Sequence, residues 1–457
     1  MKRHLFVRDR YFYKMLVTLA IPIALQNFVT FAVNFADNLM VGRLGEYVIS
    51  GVYMGNQLQT FLQFFVTGVE SGMLILAAQY WGRQDTGSIR KLVNTAFRFC
   101  VSVCTIFSVI VALIPDKMIA LFTNDPNVIA QGASYVQIVC WSYIFFGITQ
   151  MMISAMRSVE QSKVGLYVSL IALVTNITLN YILIFGKLGF PALGIRGAAI
   201  ATLISRILES CFAICYVLVI DQRLKLKVRD FLGALDTTLA RDLFKYGTPV
   251  LLGQIVWAVN MLSQAAIIGR MGVEATSAVS ISGMLNNLLF MVVLGFSAAL
   301  GILTGKTVGA GEYEKMKSYA ITAQVLFGIV AVLTGAIILL LKNTFVGFYE
   351  ITDQTVVVAK QFIIVTAIAS VGRGYQGTCL AGLVKAGGDV GFVFKMDTIF
   401  VFLIVLPSAL IALYAFNAPA WVVYACLQSD QILKCFVAVV KINRFNWMNN
   451  LTRAGNE

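Results

Sequence analysis

Long apolar runs alternate with short polar segments along the whole chain. A run of about 20 apolar residues is long enough to cross a bilayer as a helix, and hydropathy predicts about twelve such spans. Several of them are longer than a straight crossing requires, which indicates tilted or kinked helices. The pattern predicts an all-α integral membrane protein whose spans cover residues 14–40, 47–79, 93–114, 131–155, 164–185, 197–220, 246–268, 276–305, 319–341, 355–384, 391–415 and 420–440.

The composition supports a membrane protein. Of the 457 residues, 59% are hydrophobic and 12% are charged, whereas soluble domains carry about 25% charged residues. The single histidine, His4, lies in the amino-terminal tail. A Ser–His–Asp centre or a histidine metal site is therefore not expected. We predict neither enzymatic activity nor a cofactor.

The net charge of +13 is explained by orientation in a membrane. If the amino terminus is cytoplasmic, 24 of the Lys and Arg residues fall in inner segments and 7 in outer segments. Cytoplasmic loops carry such an excess of basic residues. We therefore expect both termini in the cytoplasm and the chain in the plasma (inner) membrane. The expected partners are the lipid bilayer and a small-molecule substrate but no nucleic acid, and we expect a monomer.

Two stretches of the chain resemble each other without a gap, namely "FADNLMVGRLG" (35–45) and "SQAAIIGRMG" (263–272). The register that aligns them also places Pro22 on Pro249 and Gly42 on Gly269. The residue numbers of each pair differ by 227, and we call this constant difference the repeat shift. Six spans separate the copies, so both halves enter the membrane from the same side and form a parallel repeat. We predict a six-helix lobe at 1–220, a cytoplasmic linker at 221–242 and a second six-helix lobe at 243–457.

Two six-helix lobes with a site between or inside them are typical of alternating-access transporters. The chain contains no GxxxxGK[ST] phosphate loop, so ATP is not expected to be the direct energy source.

Several motifs together resemble the multidrug and toxic compound extrusion (MATE) family. They cover most of the chain and include the region 22–45 with "VGRLG", then "AAQYWGRQD", "NITLNYILIFG", "LGIRGAAIAT", "GTPVLLGQ" and "GLVKAGGDVGF". The resemblance implies a V-shaped, two-lobed transporter that exports organic compounds, usually in exchange for H⁺ or Na⁺. It also implies a coupling site made by Asp37, Asn176, Asn180 and Thr202, with Na⁺ as a candidate ligand of Asp37, Asn176 and Asn180. Trp257 and Gly374 align near positions where many sodium-coupled members have acidic residues, which argues against a cation site in the carboxy-terminal lobe.

Asp37 is also the main candidate from the residues alone. A carboxylate inside an apolar span is costly and is by default a functional candidate. Desolvation favours its neutral form, so binding of a proton would remove the charge that holds a cationic substrate. Its copy in the second half is Gln264, which cannot titrate. The alternative is a structural role in which the hydrogen-bonded carboxylate holds the first and fifth helices together.

The other charged residues within spans have alternative interpretations. Glu70 lines the cavity and attracts cations, pairs with Arg206, or faces water near one end of its span. Arg206 and Glu209, three residues apart, are expected to form a local ion pair, and the same holds for Asp430 and Lys434, four residues apart. We favour a structural pair of Arg373 with Asp397, because charges inside a membrane usually pair. The alternative is that Asp397 is a second titrating group.

Flexible and flat apolar side chains are candidates for a promiscuous substrate cavity. They are Met54, Phe61, Phe64, Met151, Met284 and Phe290, although packing in the core or against lipid is the alternative for each.

Ion-coupled efflux of cationic or amphipathic small molecules is the function that these features favour. The main alternative is a flippase or exporter of a lipid-linked or other amphipathic metabolite, for which two further helices and a cationic cavity are expected. A membrane enzyme and a non-transporting sensor are less well supported.

Overall fold

The computed structural model describes Val7, residues 9–233, 235–349 and 351–453. His4 and both chain termini lie outside the described residues. Within them every regular element is helical, as the apolar runs predict. Eleven helices of the described part are long and apolar enough to cross a membrane, and a bent pair makes a twelfth. The predicted all-α membrane architecture is confirmed.

The first half begins with two long helices and ends with a π-helical segment at Tyr216–Ile220. Its helices are α1 (Arg10–Gly42), α2 (Glu46–Gly82), α3 (Thr86–Leu113), α4 (Pro115–Ala120), α5 (Pro126–Val139), α6 (Ser142–Ser158), α7 (Lys163–Phe185) and α8 (Gly194–Cys215). The linker contains α9 (Val228–Leu232).

The second half repeats this order. It consists of α10 (Thr237–Gly269), α11 (Val273–Gly309), α12 (Tyr313–Val346), α13 (Asp353–Cys379), α14 (Val390–Ile399), α15 (Leu406–Tyr414), α16 (Ala420–Leu427) and α17 (Ser429–Asn443). A π-helical segment at Leu380–Lys385 extends α13, and another at Phe400–Val405 joins α14 to α15.

The bounds of the helices confirm the parallel repeat. The repeat shift carries both ends of α1 and α2 onto the ends of α10 and α11. It also carries the starts of α3 and α7 onto those of α12 and α14. Pro22 and Pro249 both lie inside a helix, where proline cannot donate the usual backbone hydrogen bond. The repeat shift found in the sequence therefore relates structurally equivalent helices of the two halves.

The halves differ at their fourth span. In the first half α5 and α6 meet at a 51° bend, and the hydroxyl of Ser108 donates to the carbonyl of Cys140 at the break (2.7 Å). The same carbonyl also accepts from the backbone N–H of Tyr143 (3.1 Å), so it is paired at the break. The equivalent α13 is continuous.

Contacts divide the chain into two compact units, at bounds other than those of the predicted lobes. One unit is Leu25–Leu251, and the other combines Met1–Ala24 with Leu252–Glu457. The two crossing points lie within α1 and α10 and are themselves related by the repeat shift. The lobe bounds inferred from the repeat stay a prediction.

Glycines allow the close helix contacts inside each unit. In the first, a Cβ on Gly72 would lie 3.0 Å from backbone atoms of Gly247, so α2 and the beginning of α10 touch through their backbones. In the second, Gly295 of α11, the copy of Gly68, meets Ala20 and Ala24 of α1, and a Cβ on it would lie 2.7–2.8 Å from their atoms. Each unit thus contains the beginning of the first helix of the other half.

Candidate functional site

A cavity of about 420 Å³ lies within the unit Leu25–Leu251. Side chains of α1, α2, α5, α6, α7 and α8 line it. Its volume is in the range of small-molecule sites, but such sites are mostly apolar. This lining is instead rich in neutral amides, namely Gln26, Asn34, Asn38, Asn56, Gln57, Gln59, Gln63, Gln150 and Asn176.

Asp37 of α1 lies in this cavity beside two amides of α7. Asn180 donates a hydrogen bond from Nδ2 to Oδ1 of Asp37, and the same Nδ2 lies 3.0 Å from Oδ1 of Asn176. Asn176 and Asn180 are one helical turn apart and fully buried. The Oδ1 atom of Asn180 is buried without a hydrogen-bond partner in the described structure. The structure thus brings together three of the four residues that the resemblance implied.

Thr202, the fourth of these residues, lines the same cavity from α8. One turn further along, Arg206 forms the predicted local ion pair with Glu209 (Nη1 to Oε2, 2.8 Å). The guanidinium also lies over the ring of Phe146, 5.3 Å from its centroid. Because both partners line the cavity, the pair is part of the site as well as a clamp within α8.

The charged residues of the lining are Asp37, Arg206 and Glu209. With all three ionised, the lining carries a formal charge of −1. Asp37 forms no salt bridge with another residue of the described structure, so the excess negative charge is located on it. Such a cavity attracts a cation and repels an anion.

The polar stripe on α1 was missed by sequence reasoning. Gln26, Thr30, Asn34 and Asn38 follow one another at intervals of four residues and face the cavity with Asp37. Residues at this spacing share a helix face. Hydropathy windows average such a stripe with the apolar residues on the other faces, but a search for polar residues at helical spacing would have found it.

Glu70 pairs with Arg157 of α6 (3.4 Å), and the predicted alternatives for Glu70 are therefore wrong. Arg206 pairs with Glu209 instead, Glu70 is not part of the lining of this cavity, and its side chain is only 17% exposed and does not face water. Arg157 also donates to Oε1 of Gln26 (2.7 Å). The physical reason is that Arg206 pairs with Glu209 on its own helix, α8. Glu70 therefore pairs with Arg157 of α6.

The predicted pair of Arg373 with Asp397 is also wrong. Asp397 accepts from Lys434 of α17 (2.8 Å), which lies 3.0 Å from Asp430 as well. Arg373 donates to Gln428 (3.1 Å) and lies over the ring of Phe290. Asp397 pairs with Lys434, which lies between Asp397 and Asp430. Arg373 instead donates to the neutral amide oxygens of Gln428 and Gln431.

The predicted apolar cavity residues do not line this cavity. Met151 is fully buried in the core, and Phe61 packs against Phe65 and Phe107. Met284 accepts a hydrogen bond from Tyr349, and Phe290 contacts Arg373. Met54 and Phe64 are half-buried and also lie outside the lining. The helix faces directed at the cavity carry amides instead.

The equivalent positions of the second half lack the site. Gln264, the copy of Asp37, donates to Asn260 (3.2 Å) and weakly to the carbonyl of Leu427 (3.5 Å). The copies of Asn176 and Asn180 are Leu403 and Pro407. A carboxylate with two amide neighbours is therefore present in the first half, and the equivalent positions of the second half hold an amide, a leucine and a proline.

Comparisons with known proteins agree with this architecture. MdtK of Yersinia pseudotuberculosis, a multidrug resistance protein, is 24% identical over 89% of this chain and 89% of its own length. NorM of Thermotoga maritima, a probable multidrug resistance protein, is 25% identical over 76% of this chain and 74% of its own.

Solved structures share the fold. A MATE protein crystallised in complex with MaL6 superposes with a TM-score of 0.85, at 17% identity over 94% of this chain and 96% of that one. The MATE transporter VcmN of Vibrio cholerae, in its bent form, gives the same TM-score of 0.85 at 14% identity, over 95% of this chain and 97% of that one.

The pattern of the MatE family matches residues 22–182 and 249–411, two stretches whose starts are related by the repeat shift. These matches cover the greater part of the chain and both halves of the repeat. With the helical membrane fold described above, they establish that the chain belongs to the MatE family of multidrug and toxic compound extrusion transporters and is a transporter, not an enzyme.

Proposed function

We propose that this protein exports organic cations by alternating access in exchange for an inward-moving ion, and that the ion and the substrate compete for Asp37. The observation that carries the proposal is the position of Asp37, an acid with amide neighbours and no salt-bridge partner in the described structure, inside a cavity of net negative charge. The names of the relatives as multidrug resistance proteins support export of more than one compound.

The carboxylate supplies the difference in affinity that coupling requires. A ligand shifts a conformational equilibrium only by binding its two states unequally. An ionised Asp37 attracts a cationic substrate, and a neutral Asp37 does not. Binding of the coupling ion in one conformation therefore releases the substrate there, and loss of the ion in the other conformation restores the site.

The geometry favours H⁺ over Na⁺ as the coupling ion. Asn180 directs its N–H at Oδ1 of Asp37, so Oδ2 can accept a proton without loss of that bond. Na⁺ would be held by oxygens of Asp37, Asn176 and Asn180. The buried, unpartnered Oδ1 of Asn180 fits a cation, but the amide must turn over before this oxygen faces the carboxylate. We therefore propose that the coupling ion is H⁺. Transport driven by a sodium gradient alone would instead identify Na⁺.

The proposed orientation rests on charge. The excess of basic residues in the inner loops supports cytoplasmic termini under the positive-inside rule, and the inner membrane is the proposed location. A monomer suffices, because the cavity is built within one chain. A cationic cavity, expected for a lipid-linked flippase, is not what this lining provides.

The test uses purified protein in vesicles loaded with a fluorescent cation, driven by a pH gradient alone or a sodium gradient alone. Asp37→Asn should fold and insert but lose gradient-driven transport, because an amide cannot titrate. Asn180→Ala should weaken transport less, since it removes a hydrogen-bond partner and leaves the titrating group.

Asp116→Asn is the matched control, because it makes the same change at an exposed position in the first turn of α4. Transport by Asp37→Asn at the parental rate in both gradients would refute the role of Asp37. Transport by the parent in a sodium gradient alone would replace H⁺ by Na⁺.

A further inference from the structure

The amides of the cavity have hydrogen-bonding capacity that the protein itself does not use. In the described part of the chain, the side chains of Asn34, Asn38, Gln57, Gln63 and Gln150 line the cavity and form no hydrogen bond with another residue. Each amide offers two N–H donors and a carbonyl acceptor. These groups are therefore available to water or to a ligand.

The amides occupy one face of each of two neighbouring helices. On α2, Asn56, Gln59, Thr60 and Gln63 stand at the spacing i, i+3, i+4 and i+7, which is one helical face. On α1 the polar stripe runs from Gln26 to Asn38. A ligand in the cavity thus meets amides on two helices and a single unpaired carboxylate.

The repeat provides an internal comparison. The copies of Gln57 and Gln63 in α11 are Met284 and Phe290, and the copy of Asn34 in α10 is Met261. The equivalent faces of the second half are thus apolar at these positions. The copies of Gln59 and Thr60 are the amides Asn286 and Asn287, so the apolar replacement concerns the copies of Asn34, Gln57 and Gln63.

Resting on the proposed function, we infer that the substrate of this cavity is a hydrophilic organic cation that carries several hydroxyl or amide groups, and not an apolar cation. An apolar cation would displace water from the amides without replacing its hydrogen bonds, and such displacement lowers affinity. A hydroxylated cation pairs its positive charge with Asp37 and its hydroxyl and amide groups with the amide faces. Sites built to hydrogen-bond a ligand reject analogues that lack the polar group far more strongly than apolar pockets discriminate by size.

Equilibrium binding to the purified full chain, without any gradient, tests this inference. The compounds are radiolabelled puromycin, which carries an amine, hydroxyl groups and an amide, and radiolabelled tetraphenylphosphonium, which carries one charge and no hydrogen-bonding group. The parent should bind puromycin at least about tenfold more tightly. The double variant Gln57→Met and Gln63→Phe, which copies the second half, should lose about tenfold for puromycin and bind tetraphenylphosphonium more tightly.

Asn287→Met is the matched control, because it removes an exposed amide of α11 that lies outside the cavity. Its affinities for both compounds should equal those of the parent, and melting curves establish that all variants are folded. Tighter binding of tetraphenylphosphonium by the parent, or an unchanged ratio in the double variant, overturns the inferred substrate class and leaves export of organic cations intact. Binding of neither compound overturns the inference and the proposed export of organic cations together.

Discussion

Lys434 is a buried charged residue of the second half whose loss should be costly. Its ammonium lies 2.8 Å from Asp397 and 3.0 Å from Asp430. The side chains of Lys434 and Asp430 are 7% and 5% exposed, whereas that of Asp397 is 38% exposed. Lys434→Met keeps the length of the side chain and removes the charge. It leaves one carboxylate buried without a cation and another only partly hydrated.

The magnitude follows from burial. Removal of one partner from a buried ion pair costs about 3–5 kcal/mol. The amide of Gln431 still donates to both oxygens of Asp430 (2.8 and 2.9 Å), and water reaches Asp397, so the lower bound of about 3 kcal/mol applies. For a unit of this size that loss lowers the melting temperature by roughly 6–12 °C.

The assay is thermal unfolding of the detergent-purified protein, followed by light scattering and tryptophan fluorescence. The triple variant Lys434→Met, Asp397→Asn and Asp430→Asn should recover most of the loss, because a neutral cluster costs less than an unpaired buried charge. Lys395→Met is the control, since Lys395 is exposed on α14 and surface changes usually stay within about 0.5 kcal/mol. If Lys434→Met melts within about 1 °C of the parent, or the triple variant melts no higher than the single one, the ion-pair argument is wrong.

Two further predictions concern the inner contacts of the first unit. Arg157→Met should lower stability by about 3 kcal/mol, and the addition of Glu70→Gln should reduce that loss, as measured by melting temperature; no effect of the second change would contradict the pair. Gly165→Ala places a Cβ in collision with Oε1 of Gln26, so Gln26 must turn away from Arg157 at a cost of about 1–2 kcal/mol. Gly391→Ala, with no atom within 4 Å of the new Cβ, should be neutral in the same melting assay, and equal curves for both alanine variants would refute the contact.

Much of the fold could be predicted because the hydropathy pattern and the sequence repeat each extend over the length of whole helices. The repeat shift, found from a few prolines and glycines, locates both ends of α10 and α11 from those of α1 and α2. The bend between α5 and α6 could not be predicted in this way, since the apolar run contains no proline or glycine at the break.

The candidate site was partly predictable. The resemblance implied that Asp37, Asn176 and Asn180 belong to one site, and Asn180 indeed donates to Asp37 and lies beside Asn176. The partners of Glu70 and Asp397 were missed because an ion pair between helices depends on which faces meet, and periodicity alone does not determine that. The amide lining was not predicted, because the candidates for the cavity were chosen among apolar residues and the polar residues at helical spacing were not considered.

The arrangement of α1 and α10 has a consequence for the order in which the protein is made. The segment Arg10–Ala24 is synthesised long before Tyr319, yet the two pack together, and the ring of Tyr319 lies 4.5 Å from that of Phe12. At about 5–20 residues per second, roughly 15–60 s of synthesis separates the two. During that time the start of α1 has lipid or a chaperone as its neighbour, and the unit Leu25–Leu251 is completed first. Biogenesis of this transporter should therefore pass through an intermediate with one finished unit and an amino-terminal helix that has not yet met its packing partners.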